Sequence, residues 1–223
     1  MIKIMQKFIS LFSLIALLQL PIIVQAQEEI VDPIERVIAA GLMTKDATGK
    51  FNRNEIISRA ELASILVKTF DLEKRESSQK PNVKLKDVSS DYWAYNDIQI
   101  VLKNGVMSGY REGMFFPNYK INRAEAFAIF AQAYGVFQFP EENTKKLLNN
   151  YPDSDKIPSW ATKSIATALY EGFVNTEPGT NNINPLAPMT RGDMVYALNA
   201  YLDRQQRPAS LPWNDDLLPG VTR

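Results

Sequence analysis

Neither cysteine nor histidine occurs anywhere in the 223 residues. Without cysteine there is no disulfide framework, no thiolate chemistry and no residue to carry a lipid anchor behind an export signal. Without histidine the commonest general base and the commonest metal ligand are missing. Ser-His-Asp and Cys-His sites are excluded, as are the usual zinc sets, and no metal or cofactor is expected. The chain also lacks an excess of either charge, with 25 Lys and Arg against 25 Asp and Glu. A nucleic-acid partner would call for a basic surplus, so none is expected.

The N-terminus reads as a separate object. Lys3 and Lys7 precede an apolar core from Phe8 to Leu20, and Val24-Gln25-Ala26 has the small residues that a signal peptidase reads. The apolar run is too short to span a bilayer, so residues 1–26 are read as a secretory signal peptide. Removing 26 of 223 residues leaves 197, with 23 basic against 25 acidic side chains. No transmembrane segment is expected in that mature chain.

What the sequence does contain is one unit written three times. Gly41, Met43, Gly49, Phe51, Arg59 and Glu61 recur 64 residues later as Gly105, Met107, Gly113, Phe115, Arg123 and Glu125, without a gap. The third copy sets Gly172 67 residues beyond Gly105 and Arg191 68 beyond Arg123, so it holds one inserted residue. Upstream, Trp93 aligns with Trp160. Apolar stripes at helical spacing precede the glycines: Ala94, Ile98, Val101 and Leu102 in copy two, and Ala161, Ile165, Ala168 and Leu169 in copy three. Copy one shows the same stripe in Ile30, Ile34, Val37 and Ile38, but has Glu29 where the tryptophan belongs, so its front is truncated. The spacing predicts helix, irregular loop, helix in each copy, with the glycines as C-caps. Such small units cannot bury their own apolar faces, so three should share one core. The expected architecture is mainly α with little strand: copy one over 27–72, copy two over 85–138, copy three over 151–206, and a loose tail over 207–223. Residues 72–86 and 135–152 read as polar, proline-containing connections.

Each second helix opens with a capping pattern: Ser58-x-x-Glu61, Asn122-x-x-Glu125 and Thr190-x-x-Asp193. Ile57 with Leu62 and Met189 with Met194 suit a hydrophobic staple. Cap physics does not explain Arg59, Arg123 and Arg191, because the helix dipole mildly opposes a cation in the first turn. Each arginine either pairs with a carboxylate in the body or helps to bind an anion. The acidic pairs Asp153/Asp155 and Asp215/Asp216 fit neither an EF-hand nor any cleft readable from sequence, so they suggest caps and solvated charge rather than catalysis.

The string Asp87-Val88, Trp93-Ala94, Gly105-Val106, Gly109-Tyr110, Gly113, Phe115, Pro117, Ile121-Asn122-Arg123-Ala124-Glu125 closely resembles the S-layer homology (SLH) repeat. The resemblance covers almost all of the mature chain and is threefold. It implies three repeats packed as a pseudo-threefold helical module. It also implies non-covalent attachment of an exported protein to bacterial cell-wall polysaccharide or peptidoglycan-linked glycan, commonly pyruvylated, in grooves between the repeats. Arg59, Arg123 and Arg191 then become candidates to grip a ketal-pyruvate carboxylate, with helix-terminal N–H groups as further donors. Trp93, Trp160 and Tyr110 are candidate sugar platforms, although a large aromatic ring at a helix start serves equally well in a core. Gly109 is a candidate for ligand contact, although backbone geometry accounts for it better. Copy one departs from the pattern at Lys45-Asp46 and Arg53. Copy three departs at Glu177-Pro178-Gly179 and Gly192-Asp193. One or two working grooves are expected, with copy two contributing most. The implied setting is the cell envelope: wall or S-layer, or periplasm in a double-membraned cell. A second candidate role is an envelope adaptor that holds a protein partner without binding glycan. An enzyme is not expected.

Overall fold

The computed structural model describes residues 32–110, 113–136 and 139–206. The signal-peptide stretch and the 207–223 tail, with Trp213 and the Asp215/Asp216 pair, lie outside them. Among the described residues seven α-helices run in order: α1 Pro33–Ala39, α2 Arg59–Thr69, α3 Tyr95–Lys103, α4 Arg123–Tyr134, α5 Glu141–Leu148, α6 Thr162–Tyr170 and α7 Arg191–Gln205. Among the described residues β pairing is limited to three isolated antiparallel bridges.

The short first helices end where the glycines predict. Gly41, Gly105 and Gly172 take φ of 72°, 67° and 77°, a left-handed conformation that only glycine enters at no steric cost. The residue after each glycine donates back to the last turn: Leu42 to Val37, Val106 to Val101 and Phe173 to Ala168, at 3.1, 3.0 and 2.8 Å. These are Schellman closures, three times over.

The second helices start on caps, with one difference from expectation. Asn122 and Thr190 form reciprocal capping boxes with Glu125 and Asp193. Ser58 accepts from the Glu61 N–H at 3.2 Å, but the Glu61 carboxylate turns to Arg191 instead of closing the box. A charge-assisted pair outcompetes a neutral backbone donor for the same carboxylate.

Ile57, Ile121 and Met189 are fully buried, or 1% exposed in the case of Ile121, and they do more than staple their own helices. Ile57 N–H donates to the Met189 carbonyl, Met189 N–H to Ile121, and Ile121 N–H to Ile57, at 3.0, 2.9 and 3.3 Å. This closed triangle of one residue per copy marks the pseudo-threefold axis. Further along the long helices, Phe70, Phe130 and Tyr201 meet edge to face, with Phe70 5.0 Å from Phe130 and 5.1 Å from Tyr201. The core is therefore shared among all three copies.

Packing cuts across the repeat. α2 packs on α3 and α4 on α6, so each long helix holds the short helix of the following copy; α7 packs back on α1 and closes the ring. Arg36–Asp203 at 2.6 Å ties that last seam. The 135–152 connection holds a helix that the polar composition concealed. In α5, Pro140 precedes Glu141 and Glu142, Lys145 and Lys146 follow one turn later as ion pairs, and Thr144, Leu147 and Leu148 form a buried seam. Two turns of such a helix survive because that seam packs against α6.

Asp153 is not a solvated charge, and although it precedes a short 3-10 turn over Ser154–Lys156 its side chain does not cap that turn. It is 4% exposed, and its carboxylate accepts from the N–H groups of Ile183 and Asn184, both at 2.8 Å. Asp87 does the same for Phe115 and Phe116 in copy two, at 2.9 and 2.6 Å. Each aspartate thus clamps its own copy's loop. Asp153→Ala should destabilise the module by about 1–3 kcal/mol per orphaned donor, and Asp153→Asn by less, as read by urea unfolding. An unchanged midpoint for the alanine variant would show that the clamp contributes nothing.

Candidate functional site

The three arginines sit at the first position of α2, α4 and α7, and each points into the loop of another copy. Arg59 Nε donates to the Phe115 carbonyl at 2.9 Å and Nη2 to the Ser108 carbonyl at 2.7 Å. Arg123 repeats this with Ile183 at 2.8 Å and Asn175. Arg191 reaches the Thr44 carbonyl at 2.6 Å, but its buried Nε has no partner among the described residues. Arg59 and Arg123 are only 6% exposed. The arginines are first of all clasps between copies, made twice in full and once incompletely.

The backbone around them follows the same rule. The first two N–H groups of α2 donate to Tyr119 and Pro117, those of α4 to Ala187 and Pro185, and those of α7 to Glu55 and Arg53. The third is taken by the cap side chain in every case. The helix-terminal donors expected for an anion are thus already committed to the neighbouring copy. Two sequence departures become one feature here: Arg53, which replaces a proline, lies against Gly192, which replaces an alanine. A Cβ on Gly192 would stand 3.1 Å from the Arg53 carbonyl oxygen.

Among the described residues three grooves open where the copies meet, and they are not equivalent. The first, about 220 Å³, is lined by Arg59, Ser108, Gly109, Tyr110, Glu125 and Trp160, over an apolar floor. Tyr110 and Phe115 place their rings 4.6 Å from the Arg59 guanidinium carbon. Burial pushes the Arg59 guanidinium below its ordinary pKa, with Tyr110 and Glu125 opposing that shift; it stays protonated. Among the described residues no carboxylate lies within ion-pairing distance of it. Gly109 is there for close approach, since a Cβ would stand 3.0 Å from the Met114 carbonyl oxygen.

The second groove, about 330 Å³, is lined by Arg191, Glu61, Lys68, Lys120 and Trp93. Its arginine is paired with Glu61, whose carboxyl burial pushes above the usual range although Arg191 pulls it down. The third, about 280 Å³, holds Arg123 beside Asp193 at 2.7 Å, with Asn175 and Pro178. Burial pushes the Asp193 carboxyl up, but Asn175, Thr190 and Arg123 together bring it below its ordinary value. That arginine's charge is neutralised in place. Of the three arginines, Arg123 and Arg191 are ion-paired, and Arg59 has no carboxylate partner among the described residues.

Trp93 and Trp160 are 64% and 63% exposed, so neither is a core residue. Trp160 borders the Arg59 groove and Trp93 the Arg191 groove. The matched residues fall into two grooves, with Arg123 alone in the third. Sequence reasoning passed over Glu125 and Lys120 as groove residues. Their positions, N3 of a helix and the end of a loop, carry no binding signal until a second copy packs against them.

The S-layer homology domain matches residues 26–63, 84–127 and 150–195, more than half of the chain. The chain belongs to the S-layer homology domain family. It is 30% identical over 174 residues to the surface-layer 125 kDa protein of Lysinibacillus sphaericus, covering 77% of this chain and 14% of that protein. It is 26% identical over 159 residues to a cellulosome-anchoring protein of Acetivibrio thermocellus, covering 70% and 34%. With an amylopullulanase of Thermoanaerobacterium thermosulfurigenes it shares 26% identity over 78% of this chain and 9% of that enzyme. The SLH chain thus spans well under half of each of these relatives. As a member of this family it is an exported protein of the cell envelope. Among the described residues no helix is long and apolar enough to cross a membrane.

Copy one of the SLH module lacks the clamping aspartate and holds its loop differently. Asp46 stands where copy two has Tyr110, and accepts from Thr48 N–H, Thr48 Oγ, Lys50 N–H and Asn52 Nδ2 at 2.8, 2.7, 3.0 and 2.9 Å. The Thr48 hydroxyl and the Lys50 N–H lead in bringing its pKa down from 3.8 to about 2. A carboxylate with a depressed folded pKa contributes stability above its unfolded value and loses it as pH falls through the folded one. The loop should therefore hold at pH 3 and loosen near pH 2. A carbon-13 titration of the Asp46 carboxyl should show a midpoint near 2; a midpoint near 3.8 would mean that the loop is not organised by Asp46 in solution.

Proposed function

We propose that this SLH module attaches non-covalently to cell-wall polysaccharide by taking an anionic group of the glycan, such as a ketal-pyruvate carboxylate, into the Arg59 groove. The observation that carries the reading is a buried, protonated guanidinium that lines an open groove with no carboxylate paired to it among the described residues. Its Nε and Nη2 are held by carbonyls, so the fork enters the groove pre-oriented, and little side-chain entropy is lost on binding. Tyr110 and Trp160 offer flat faces beside it, on which the C–H side of a sugar ring can rest while its hydroxyls stay in water. The Arg123 and Arg191 grooves are weaker anion sites because Asp193 and Glu61 already neutralise their arginines. The role is binding rather than catalysis. Among the described residues that line the Arg59 groove the one carboxylate is Glu125, which closes the cap of α4, whereas glycoside hydrolysis requires two carboxyls across a cleft.

The test is sedimentation of purified protein with cell walls from its own source, before and after chemical removal of pyruvyl groups. Co-sedimentation with intact walls and release from stripped ones is the expected result. Protein that stays in the supernatant with intact walls would end this reading.

A further inference from the structure

Copy two carries exposed aromatic residues that the fold does not need. Tyr110, Phe116, Tyr119 and Trp93 are all among the exposed large apolar side chains, Tyr119 at 56% and Trp93 at 64%. Tyr110, Phe116 and Tyr119 form one cluster: Tyr110 lies 5.4 Å from Phe116 and 6.4 Å from Tyr119, ring centre to ring centre. Tyr92 lies 5.8 Å from Trp93, and its hydroxyl donates at 3.1 Å to the side chain of Asn118, the chain neighbour of Tyr119.

The other copies build the corresponding loop without the rings of Tyr110, Phe116 and Tyr119. Where copy two has Tyr110, Phe116 and Tyr119, copy one has Asp46, Asn52 and Glu55, and copy three has Glu177, Asn184 and Ala187. The core position between them stays apolar in all three, as Phe115, Phe51 and Ile183. Phe116 also takes φ of 56°. Asn184, its counterpart, has φ of 52°, but asparagine tolerates that conformation and a bulky aromatic residue does not. A strained, exposed phenylalanine is the kind of local cost that persists for a use outside the fold.

The rings are also continuous with the grooves. Tyr110 lines the Arg59 groove; at the far end Trp93 and Lys120, next to Tyr119, line the Arg191 groove. We propose that this row is a saccharide track, along which the wall glycan runs across copy two once its acidic group is seated at Arg59. The occupant is a stretch of neutral sugar rings, since the row carries no charge of its own and both of its ends meet cations. The module would then recognise an extended chain rather than a single terminal residue. The proposal rests on the Arg59 reading above and adds chain length to it.

The test uses the mature protein and its variant Phe116→Asn/Tyr119→Ala, which installs the residues of copy three and should melt with the wild type. The probe is polysaccharide released from walls of the source cell, split by size into long chains and short acidic fragments. Wild type should bind long chains more tightly than short ones. The variant should lose about tenfold on long chains and nothing on short fragments. Equal binding of both proteins to long chains would overturn the track and leave the Arg59 site standing. Loss on the short fragments as well would place these rings inside the Arg59 site and also overturn it. Failure of the wild type to bind either probe would sink the underlying reading, and the track with it. A defect seen on whole walls but absent after protease treatment of those walls would assign the row to a protein partner instead.

Discussion

Arg123→Ala is expected to lower the stability of the module by about 3–5 kcal/mol, the usual cost of breaking a buried ion pair from one side. The guanidinium is 6% exposed and spends its donors on Ile183, Asn175 and Asp193. Truncation leaves two loop carbonyls without a donor, and leaves Asp193 supported by Asn175 and Thr190 alone. It also unpins copy three's loop from α4 at the seam where the first two N–H groups of α4 meet Ala187 and Pro185. Total stability for a domain of this size is about 5–15 kcal/mol, so a large part of it would be lost. Urea or thermal unfolding reads this directly: a midpoint about 10 °C lower is expected, at about 2–4 °C per kcal/mol. A midpoint within a degree or two of wild type would remove the structural assignment. Below its own unfolding temperature the variant should still bind walls, because the Arg59 groove is built from other residues. Arg191→Ala should cost less, since Arg191 already leaves its Nε unpartnered and its carboxylate partner is the less stabilised of the two acids.

How far the fold could be read beforehand follows from where the information sits. Helix ends are local, so Gly41, Gly105 and Gly172 and the cap residues Ser58, Asn122 and Thr190 could be placed from spacing alone. The threefold repetition gave the shared core for the same reason, because no single unit is large enough to close around Phe115 or Phe130. What could not be read was everything that passes between copies. Nothing in Arg59 says that its partners are 49 and 56 residues away, or that α2 holds the short helix of copy two rather than its own. The capping box at Ser58 misled for the same reason: Glu61 obeys a local rule in sequence and a distant arginine in space. The α5 helix was hidden by composition, since two turns of Glu, Asn, Thr and Lys carry little periodic signal until Leu147 and Leu148 find α6. The departures of copies one and three were visible as substitutions, but their meaning was not. Asp46 substitutes for a missing clamp, and Gly192 makes room for Arg53.

The largest effect on binding is expected at Arg59, and two substitutions separate its role in the ligand site from its role as a clasp. Arg59→Lys keeps the positive charge but loses the planar fork, so it cannot satisfy Phe115 and Ser108 and grip a carboxylate at once. Wall affinity should fall at least about tenfold, while the folded state survives because one of the two carbonyls can still be served. That loss alone would also suit a clasp whose loosening deforms the groove. Glu125→Gln supplies the readout that a clasp would not move. Glu125 lines the same groove and acts electrostatically on Arg59, while its carboxylate accepts from the Asn122 N–H at 3.2 Å. Glutamine keeps that cap, because its amide oxygen still accepts, and removes a negative charge from the path of an incoming anion. If Arg59 binds an anionic glycan, Glu125→Gln should tighten wall binding several-fold, and its advantage over wild type should shrink as salt is raised and the repulsion is screened. If the groove takes a neutral ligand, removing the carboxylate should leave affinity and salt dependence unchanged. Weaker binding from Glu125→Gln would mean that the acid itself contacts the ligand, and the site would then have to be read as accepting a cationic or hydroxyl-donating group instead of a carboxylate.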